Sequence, residues 1–525
     1  LKCNQLVRAL NGFVPSHLIL LRLCGAKDQT EADIMGKTKA PKPIDLARKP
    51  RGFPDKREGL IHVERAIIER VTEVYRRWGF EGLETGAFEY ADALGKFLPD
   101  DDRPNAGVFA LQDDDEQWMS LRYDLTAPLA RFAAENWQTL AKPFRRYAAG
   151  SVYRNEKPGP GRFREFLQCD ADTVGAAGPH ADAEMIAMAA EAMRAAGAGD
   201  GEFVVRVNTR RLLNAVLDGV GATSDIARLT VLRALDKLDK FGSAGVGDLL
   251  GKGRMDESGD FTKGAGLDEA AVKRVLAFAE AGRATRGETL EALGTAVGTS
   301  EEGAAGIAEL EAITRALEAL SAPESDVVFD PSVVRGLEYY TGPVFEAELL
   351  KETIDEDGNR VRIGSVGGGG RYDDLVARFT GEKVPATGFS VGVSRLAAAF
   401  AISGEIDALN GPVVVLNMDK QDPSEALKLA TELRKAGIRA EAYMGSSGMR
   451  PQMKYADRRG APVAIMVGTD ELEKGVVTIK DLKEGAKKAA AIASNDEYRE
   501  ARPGQFEAPR GEMIARIREI VEAEQ

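Results

Sequence analysis

Apolar and polar residues alternate along this chain with two different periods, and each change of period marks a change of structure. Leu60, Val63, Ile67, Val71, Val74 and Trp78 recur at helical spacing with Glu and Arg between them. Residues 60–78 are therefore expected to form an amphipathic helix, stopped by Gly79. Residues 80–88 read as extended. Residues 106–132 read as a hairpin with acidic turn residues at 113–116, followed by a helix from about Thr126. Two strands at 145–153 and 162–172 flank a Pro- and Gly-rich loop at 157–161, the pattern of an antiparallel hairpin. A helix over 179–196 and a strand over 202–208 follow.

From about 222 to 325 the chain becomes Ala, Gly, Leu and charge, almost without aromatics, in helical periods broken by glycines. This stretch reads as an inserted helical domain. Strands return at 326–330, 343–350, 360–367 and 387–393, with a helix over 394–403. Beyond 411 strands (413–417, 439–443, 463–467, 475–480) alternate with helices (424–435, 449–459 and a last one). That alternation implies a small α/β domain with a mostly parallel sheet. The expected organisation is an extension over 1–44, an α+β unit with an antiparallel sheet in two parts (45–221 and 326–410), the helical insertion over 222–325, and the α/β unit over 411–525.

Bulk composition narrows the function classes. A chain of 525 residues is too long for one core, and its 44% apolar and 29% charged residues are those of a globular protein. The net charge of −13 argues against indiscriminate nucleic-acid binding, although a local basic patch can still hold RNA. Residues 411–525 carry roughly balanced charge, so the acidity lies upstream. Cys3, Cys24 and Cys169 lack metal-ligand spacing and cannot build a disulfide framework, which fits a reducing cytoplasm. The histidines, His17, His62 and His180, stand apart from one another and from cysteine, so no zinc site is expected. No apolar run is long enough to span a membrane. Residues 1–34 begin with Leu and carry no acid before Asp28, whereas Met35 opens a basic arm. They read as upstream sequence taken in by a wrong start, or as an organellar presequence.

The chemistry-bearing residues fall in four clusters. There is neither a Gly-x4-Gly-Lys-Ser/Thr loop nor a Gly-x-Gly-x-x-Gly turn, so any nucleotide must be held without a glycine phosphate loop. The first cluster, Tyr153-Arg154-Asn155-Glu156 with Arg162 to Asp172, can bring Arg154 and Arg162 to one face of a hairpin. Guanidinium forks there suit a phosphate or carboxylate, and Phe166 suits a base; a plain solvated hairpin has the same pattern. The second is Arg335-Gly336-Leu337-Glu338-Tyr339-Tyr340, which strand packing alone also allows. The third, Gly367 to Gly370 before Arg371-Tyr372-Asp373, puts four glycines at a strand end, so something approaches the backbone closely or the turn is flexible. In the fourth, small residues from Thr387 lead to Arg395 at a helix start.

Taken in order, these clusters resemble the three signature motifs of the class II aminoacyl-tRNA synthetases. Motif 1 corresponds to the helix 60–78 and its strand, motif 2 to the hairpin 145–172 and motif 3 to 387–403. Within that class, Arg335–Glu346 and Gly368–Asp373 resemble the two private motifs of the histidyl-tRNA synthetase family, and Leu121-Arg122-Tyr123-Asp124-Leu125-Thr126 is similar to its amino-acid site. The resemblance covers nearly everything from about residue 45 onward. It implies activation of histidine with ATP and Mg²⁺, without zinc, transfer to tRNA(His), and a cytoplasmic homodimer.

Residue by residue, the resemblance implies that Arg154 and Arg335 are the catalytic cations, at the α-phosphate and the substrate carboxylate. Arg162 and Arg395 hold the outer phosphates and Phe166 stacks on adenine, while Glu156 hydrogen-bonds the adenine or holds Mg²⁺. Asp124, Thr126 and Gln168 receive the amino and carboxylate groups, with Leu125 in the same site. Asp172 and Tyr340 read the imidazole, with Tyr339 or Tyr372 nearby. The insertion should clamp the acceptor arm. The C-terminal unit should bind the anticodon, with Arg450, Lys454 and Arg458 as contacts, though their spacing is equally that of a solvated helix face.

Two departures stand out. Gln168-Cys169-Asp170-Ala171-Asp172 is closer to the family's eukaryotic-like form than to its common bacterial one, and Ser394 replaces a frequent Glu before the motif 3 arginine. The rival reading is a catalytically inactive synthetase-like regulatory subunit. Such proteins usually lack the arginines and the C-terminal domain that this chain has.

Overall fold

Helix α1 (Glu58–Arg77) forms where the 3.6-residue stripe predicts it. Val63, Ile67, Val71, Val74 and Tyr75 are buried along one face, Glu58 lies in its first turn, and Arg76 and Arg77 lie in its last, each favourable to the helix dipole. Gly79, at φ +83°, lets the chain reverse. The computed structural model describes residues 47–91, 107–159, 162–255, 259–334, 340–354, 360–403, 411–419, 422–489 and 502–523. The extension assigned to 1–44 lies outside the described residues. The chain divides into a unit ending at Pro54 and a second running from Asp55 to Gln525.

The second unit is built on an eight-stranded sheet. Its strands are β1 (Glu81–Gly82), β2 (Phe144–Tyr153), β3 (Glu165–Val174), β4 (Phe203–Thr209), β5 (Val327–Phe329), β6 (Pro343–Ile354), β7 (Arg360–Arg371) and β8 (Ala386–Val391). Their spatial order is β1-β2-β3-β8-β7-β6-β4-β5. The central pairings are antiparallel, and the two edge pairs, β1 with β2 and β4 with β5, are parallel. Helices α1, α2 (Thr126–Asn136), α3 (Pro179–Ala196) and α4 (Val393–Ser403) pack on this frame. The expected hairpin near 113–116 is present: Ala110–Gln112 pairs with Trp118–Leu121 in a small separate sheet that also includes Phe88–Tyr90.

The glycine run in β7 has a specific packing cause. Gly369 lies between Phe345 of β6 and Phe389 of β8, whose rings stack over it at a centroid distance of 6.0 Å. A Cβ on Gly369 would come within 2.5 Å of the Phe345 ring, and one on Gly367 within 2.7 Å of the Phe389 ring. The close approach expected from the sequence is therefore made by the protein itself, by the phenyl rings at both positions and, nearest of all at Gly369, by the Gly388 carbonyl. Gly368 is different: a Cβ there meets nothing closer than a backbone oxygen at 3.8 Å.

Between α3 and β6 the insertion is helical, as its periodicity predicts. Ser224, Asp268, Thr285 and Ser300 cap four of its helices through side-chain oxygens, and Thr285 with Glu288 completes a capping box. It also holds a short hairpin, Gly253–Met255 with Phe261–Lys263, that helical periodicity did not reveal.

The C-terminal sheet corrects one expectation. Its order is Ala440–Ala442, Val413–Val415, Val463–Met466, Val476–Asp481, Gln505–Pro509. Only the first two pairings are parallel; the last two are antiparallel. The helix joining Met466 to Val476 is only Thr469–Lys474, too short for a parallel crossover, so the chain doubles back. The strand Gln505–Pro509 was absent from the sequence reading.

Candidate active site

The β2–β3 hairpin sets three charges facing one another inside the sheet layer. Its register places Arg146 directly opposite Asp172. Phe144 and Arg146 share the inward phase of β2, so the arginine is buried, at 1% exposure, with Asp170 and Asp172 at 2% each. One Arg146 Nη2 donates 2.7 Å to the Leu125 carbonyl and lies 3.0 Å from Asp172 Oδ2. The buried Tyr372 hydroxyl donates to the other carboxylate oxygen, Asp172 Oδ1. Burial pushes the Asp172 carboxyl up, and Arg146 opposes that shift. Asp170 is pushed up to about 7, first by burial and then by Asp172, against Arg146. Burial and the neighbouring Asp172 raise Tyr372 well above the usual phenol range, so it is a hydrogen-bond donor at any working pH.

Gly388 on β8 makes room for this arrangement. It pairs with Asp172, and a Cβ there would lie 2.6 Å from Asp172 Cγ and closer still to Oδ1. Gln168, also on β3, donates through Nε2 to Ser390 Oγ at 2.9 Å. Several buried polar atoms have no hydrogen bond among the described residues: Arg146 Nε and Nη1, Gln168 Oε1, Asp170 Oδ1 and Asp172 Oδ2. Buried polar atoms are rarely left so, and a polar ligand would satisfy them.

Asp124 Oδ1 accepts from the backbone N–H of Thr126, at 3.2 Å, and of Ala127, at 2.9 Å, and so caps α2. Leu125 is buried, and its carbonyl is the one that Arg146 holds. The segment is fixed further by Arg122, which donates to the Ser151 and Thr85 carbonyls at 2.8 and 3.0 Å.

Arg154 follows β2 and lies between two rings. Its guanidinium sits 4.4 Å from the Tyr123 centroid and 5.1 Å from that of Phe166, geometry favourable to cation–π attraction. One side of Phe166 is thus taken by Arg154. The Tyr123 hydroxyl donates to Glu156 Oε1 at 3.2 Å. Arg162 and Glu156 are exposed at the rim of the hairpin, and the loop between them includes Pro160 and Gly161, outside the described residues. Arg395 is half-buried in the first turn of α4 and donates to the Ile363 carbonyl at 2.8 Å.

Tyr340 packs against the cluster that contains Tyr372, and its ring lies 3.0 Å from where a Cβ on Gly370 would be. Arg335 and Tyr339 lie outside the described residues. Two buried arrangements escaped sequence reasoning. Arg371 forks onto Asp182 at 2.6 and 3.0 Å and also reaches the Gly178 and Ala176 carbonyls, so it is a packing arginine. Arg146 was missed as well. Its signal was present: a positive charge on the inward phase of one strand, opposite acids on the inward phase of the next.

Residues 52–396 match the model of the histidyl-tRNA synthetase family, and residues 412–498 match that of the anticodon binding domain. The chain is 60% identical to the histidine–tRNA ligase of Caulobacter vibrioides over 478 residues, covering 90% of this chain and 97% of that one. This chain belongs to the histidyl-tRNA synthetase family. The histidine–tRNA ligase of Brucella ovis is 56% identical over 485 residues, 91% of this chain and 96% of that one. The solved histidyl-tRNA synthetase of Nostoc sp. PCC 7120 superposes with a TM-score of 0.66 at 27% identity, covering 90% of this chain and 99% of its own.

In this synthetase chain the C-terminal unit presents Arg450, Lys454 and Arg458 as exposed residues of the helix Met449–Arg458. Gln452, on the buried side, anchors that helix through both ends of its amide. It accepts from the Asn417 N–H and donates to the Asn417 carbonyl, each at 2.8 Å. The three cations therefore stand on a helix whose position is fixed from below. Among the described residues no helix is long and apolar enough to cross a membrane, and no group of three His, Cys, Asp or Glu could hold a metal ion.

Proposed function

We propose that the chain activates histidine with ATP and transfers it to tRNA(His), with Asp172 as the reader of the imidazole. The observation that carries this reading is the buried Asp172 carboxylate, held between the Arg146 guanidinium and the Tyr372 hydroxyl among buried polar atoms that have no hydrogen-bond partner among the described residues. An acceptor fixed so firmly suits a ring N–H, and a ligand lacking that donor leaves it unpaired. Asp124, Leu125, Thr126 and Gln168 form the other end of the pocket, where the amino and carboxylate groups sit.

In the first step a histidine carboxylate oxygen bonds to the α-phosphorus, the bond to the bridging β-phosphate oxygen breaks, and pyrophosphate leaves. In the second a terminal ribose hydroxyl of the tRNA attacks the acyl carbon, and AMP and one proton are released. Negative charge develops at the α-phosphate in the first step, so fixed cations stabilise the transition state. Arg154 supplies one from its place between Tyr123 and Phe166, and Arg335 supplies the second. Arg162 and Arg395 serve the outer phosphates, and Phe166 offers adenine the ring side that Arg154 leaves. Mg²⁺, if bound with ATP, would neutralise charge on the phosphates. Glu156, exposed and accepting from the Tyr123 hydroxyl, would be the side chain to hold it or would instead meet the adenine.

The anticodon is assigned to the C-terminal unit and its three exposed cations, and the acceptor arm to the insertion. A homodimer is supported by apolar side chains left exposed on the small sheet, Phe88 (45%), Tyr90 (54%) and Trp118 (52%). Cytoplasmic location is supported by the free, buried Cys169 and the lack of a disulfide framework. Asp172→Ala tests the assignment of the reader. The histidine KM should rise at least about tenfold while the ATP KM stays put. Equal rises in both would remove Asp172 from the imidazole.

A further inference from the structure

We propose that Arg146 is a positioning residue that determines amino-acid specificity: it ties the Asp172 carboxylate to the Leu125 carbonyl, fixing the distance between the two ends of the site and setting a cation against the imidazole reader. The inference rests on the reading of Asp172 given above and adds to it a residue that the sequence did not single out.

Three observations carry it. Arg146 bridges the ends of the pocket with one nitrogen, 2.7 Å from the Leu125 carbonyl beside Asp124 and 3.0 Å from Asp172 Oδ2. It is 1% exposed, and a buried guanidinium is tolerated only when paired. Its Nε and Nη1 have no hydrogen-bond partner among the described residues, and on the facing strand Asp170 Oδ1 and Gln168 Oε1 are unmet as well. A cation serving only packing would be expected to use its whole fork, as Arg371 does on Asp182 and two carbonyls.

Charge bookkeeping around Asp172 gives the arginine its consequence. The groups acting on this carboxylate are Arg146 from β2, the Tyr372 hydroxyl after β7, and Asp124 before α2. Asp170 on β3 and the buried Tyr75 hydroxyl of α1 also interact with it electrostatically. Arg146 is the cation in that set. Without it, burial and the neighbouring acids favour the protonated acid, which offers a proton where the imidazole N–H needs an acceptor.

Arg146→Met and Arg146→Lys in the full chain test this, with histidine-dependent pyrophosphate exchange followed against histidine, ATP and pH. The methionine variant should raise the histidine KM at least about tenfold, leave the ATP KM within about twofold, and move the acid limb of kcat/KM for histidine to higher pH. Titration of the substrate imidazole is common to both proteins and cancels in that comparison. The lysine variant should restore the acid limb, because it restores the charge, but only part of the KM, because a shorter ammonium does not sit where Nη2 meets both the Leu125 carbonyl and Asp172. An unmoved acid limb, or equal changes in both KM values, overturns the proposal. If the methionine variant does not fold, the lysine variant decides: a raised histidine KM with an unchanged ATP KM supports the proposal, and any other pattern overturns it. A wild-type chain without histidine dependence overturns the functional reading and this inference together, whereas a histidine-dependent wild type with unaffected variants overturns this inference alone.

Discussion

The Ser394 hydroxyl, beside Arg395 at the start of α4, donates to Oε1 of Glu64 on α1 at 2.5 Å. Glu64 is 2% exposed and forms an ion pair with Lys56 at 2.7 Å. The same Ser394 oxygen accepts from the Leu167 N–H, between Phe166 and Gln168, at 3.0 Å. One hydroxyl thus joins α1, β3 and the helix that carries Arg395. A serine can do this where a glutamate is frequent in the family because the carboxylate arrives from α1 instead.

Ser394→Ala removes both of these hydrogen bonds. It leaves the Leu167 N–H without its acceptor and takes the hydroxyl donor from Glu64, which keeps Lys56, a loss of about 1–3 kcal/mol of stability. Because Phe166 and Arg395 both loosen, the ATP KM should rise more than the histidine KM. Denaturant unfolding and steady-state exchange measure the two effects. An unchanged ATP KM in a destabilised variant would reduce the knot to a purely structural one.

Gly388→Ala places a methyl where the Asp172 carboxylate stands, 2.6 Å from its Cγ. Gly388 lies in an ordinary strand and is not among the positive-φ glycines, so the backbone accepts alanine. The carboxylate must turn away from Arg146 and Tyr372. The protein should fold and should lose histidine affinity at least about tenfold, read by calorimetric titration. Wild-type affinity would show that Asp172 is not where histidine binds.

Asp170, pushed up to about 7 by burial, makes stability depend on pH. A carboxyl that binds its proton more tightly when folded stabilises the fold at low pH, and that contribution fades as pH rises from about 4, the unfolded value, through about 7. Asp170→Asn removes the slope. Its melting temperature relative to wild type should be higher at pH 8 than at pH 5, by roughly 2–4 °C, in differential scanning calorimetry. A pH-independent difference would mean that Asp170 ionises freely in the fold.

Much of this architecture was legible because periodicity reports burial. Val63, Ile67, Val71 and Val74 announced α1 because each meets the core. The expected helix over 179–196 coincides with α3, whose buried face is nearly continuous. The C-terminal sheet was misread because strand direction depends on the length of a connection that local pattern hides. The polar interior was the least legible part. Arg146, Glu64 and Asp182 are buried charges, and a rule that places charge outside misses them until their partners, distant in sequence, are in place. The glycines of β7 announced a close approach, but only the fold identifies the Phe345 and Phe389 rings and the Gly388 carbonyl as what approaches Gly367 and Gly369.

The central claim is that this pocket selects histidine, and ATP–pyrophosphate exchange with the full chain, run against each of the twenty amino acids, tests it most directly. Exchange should depend on histidine alone, and Arg335→Ala should abolish it in a chain that still folds. Exchange supported by another amino acid, or no exchange with any, would contradict the account.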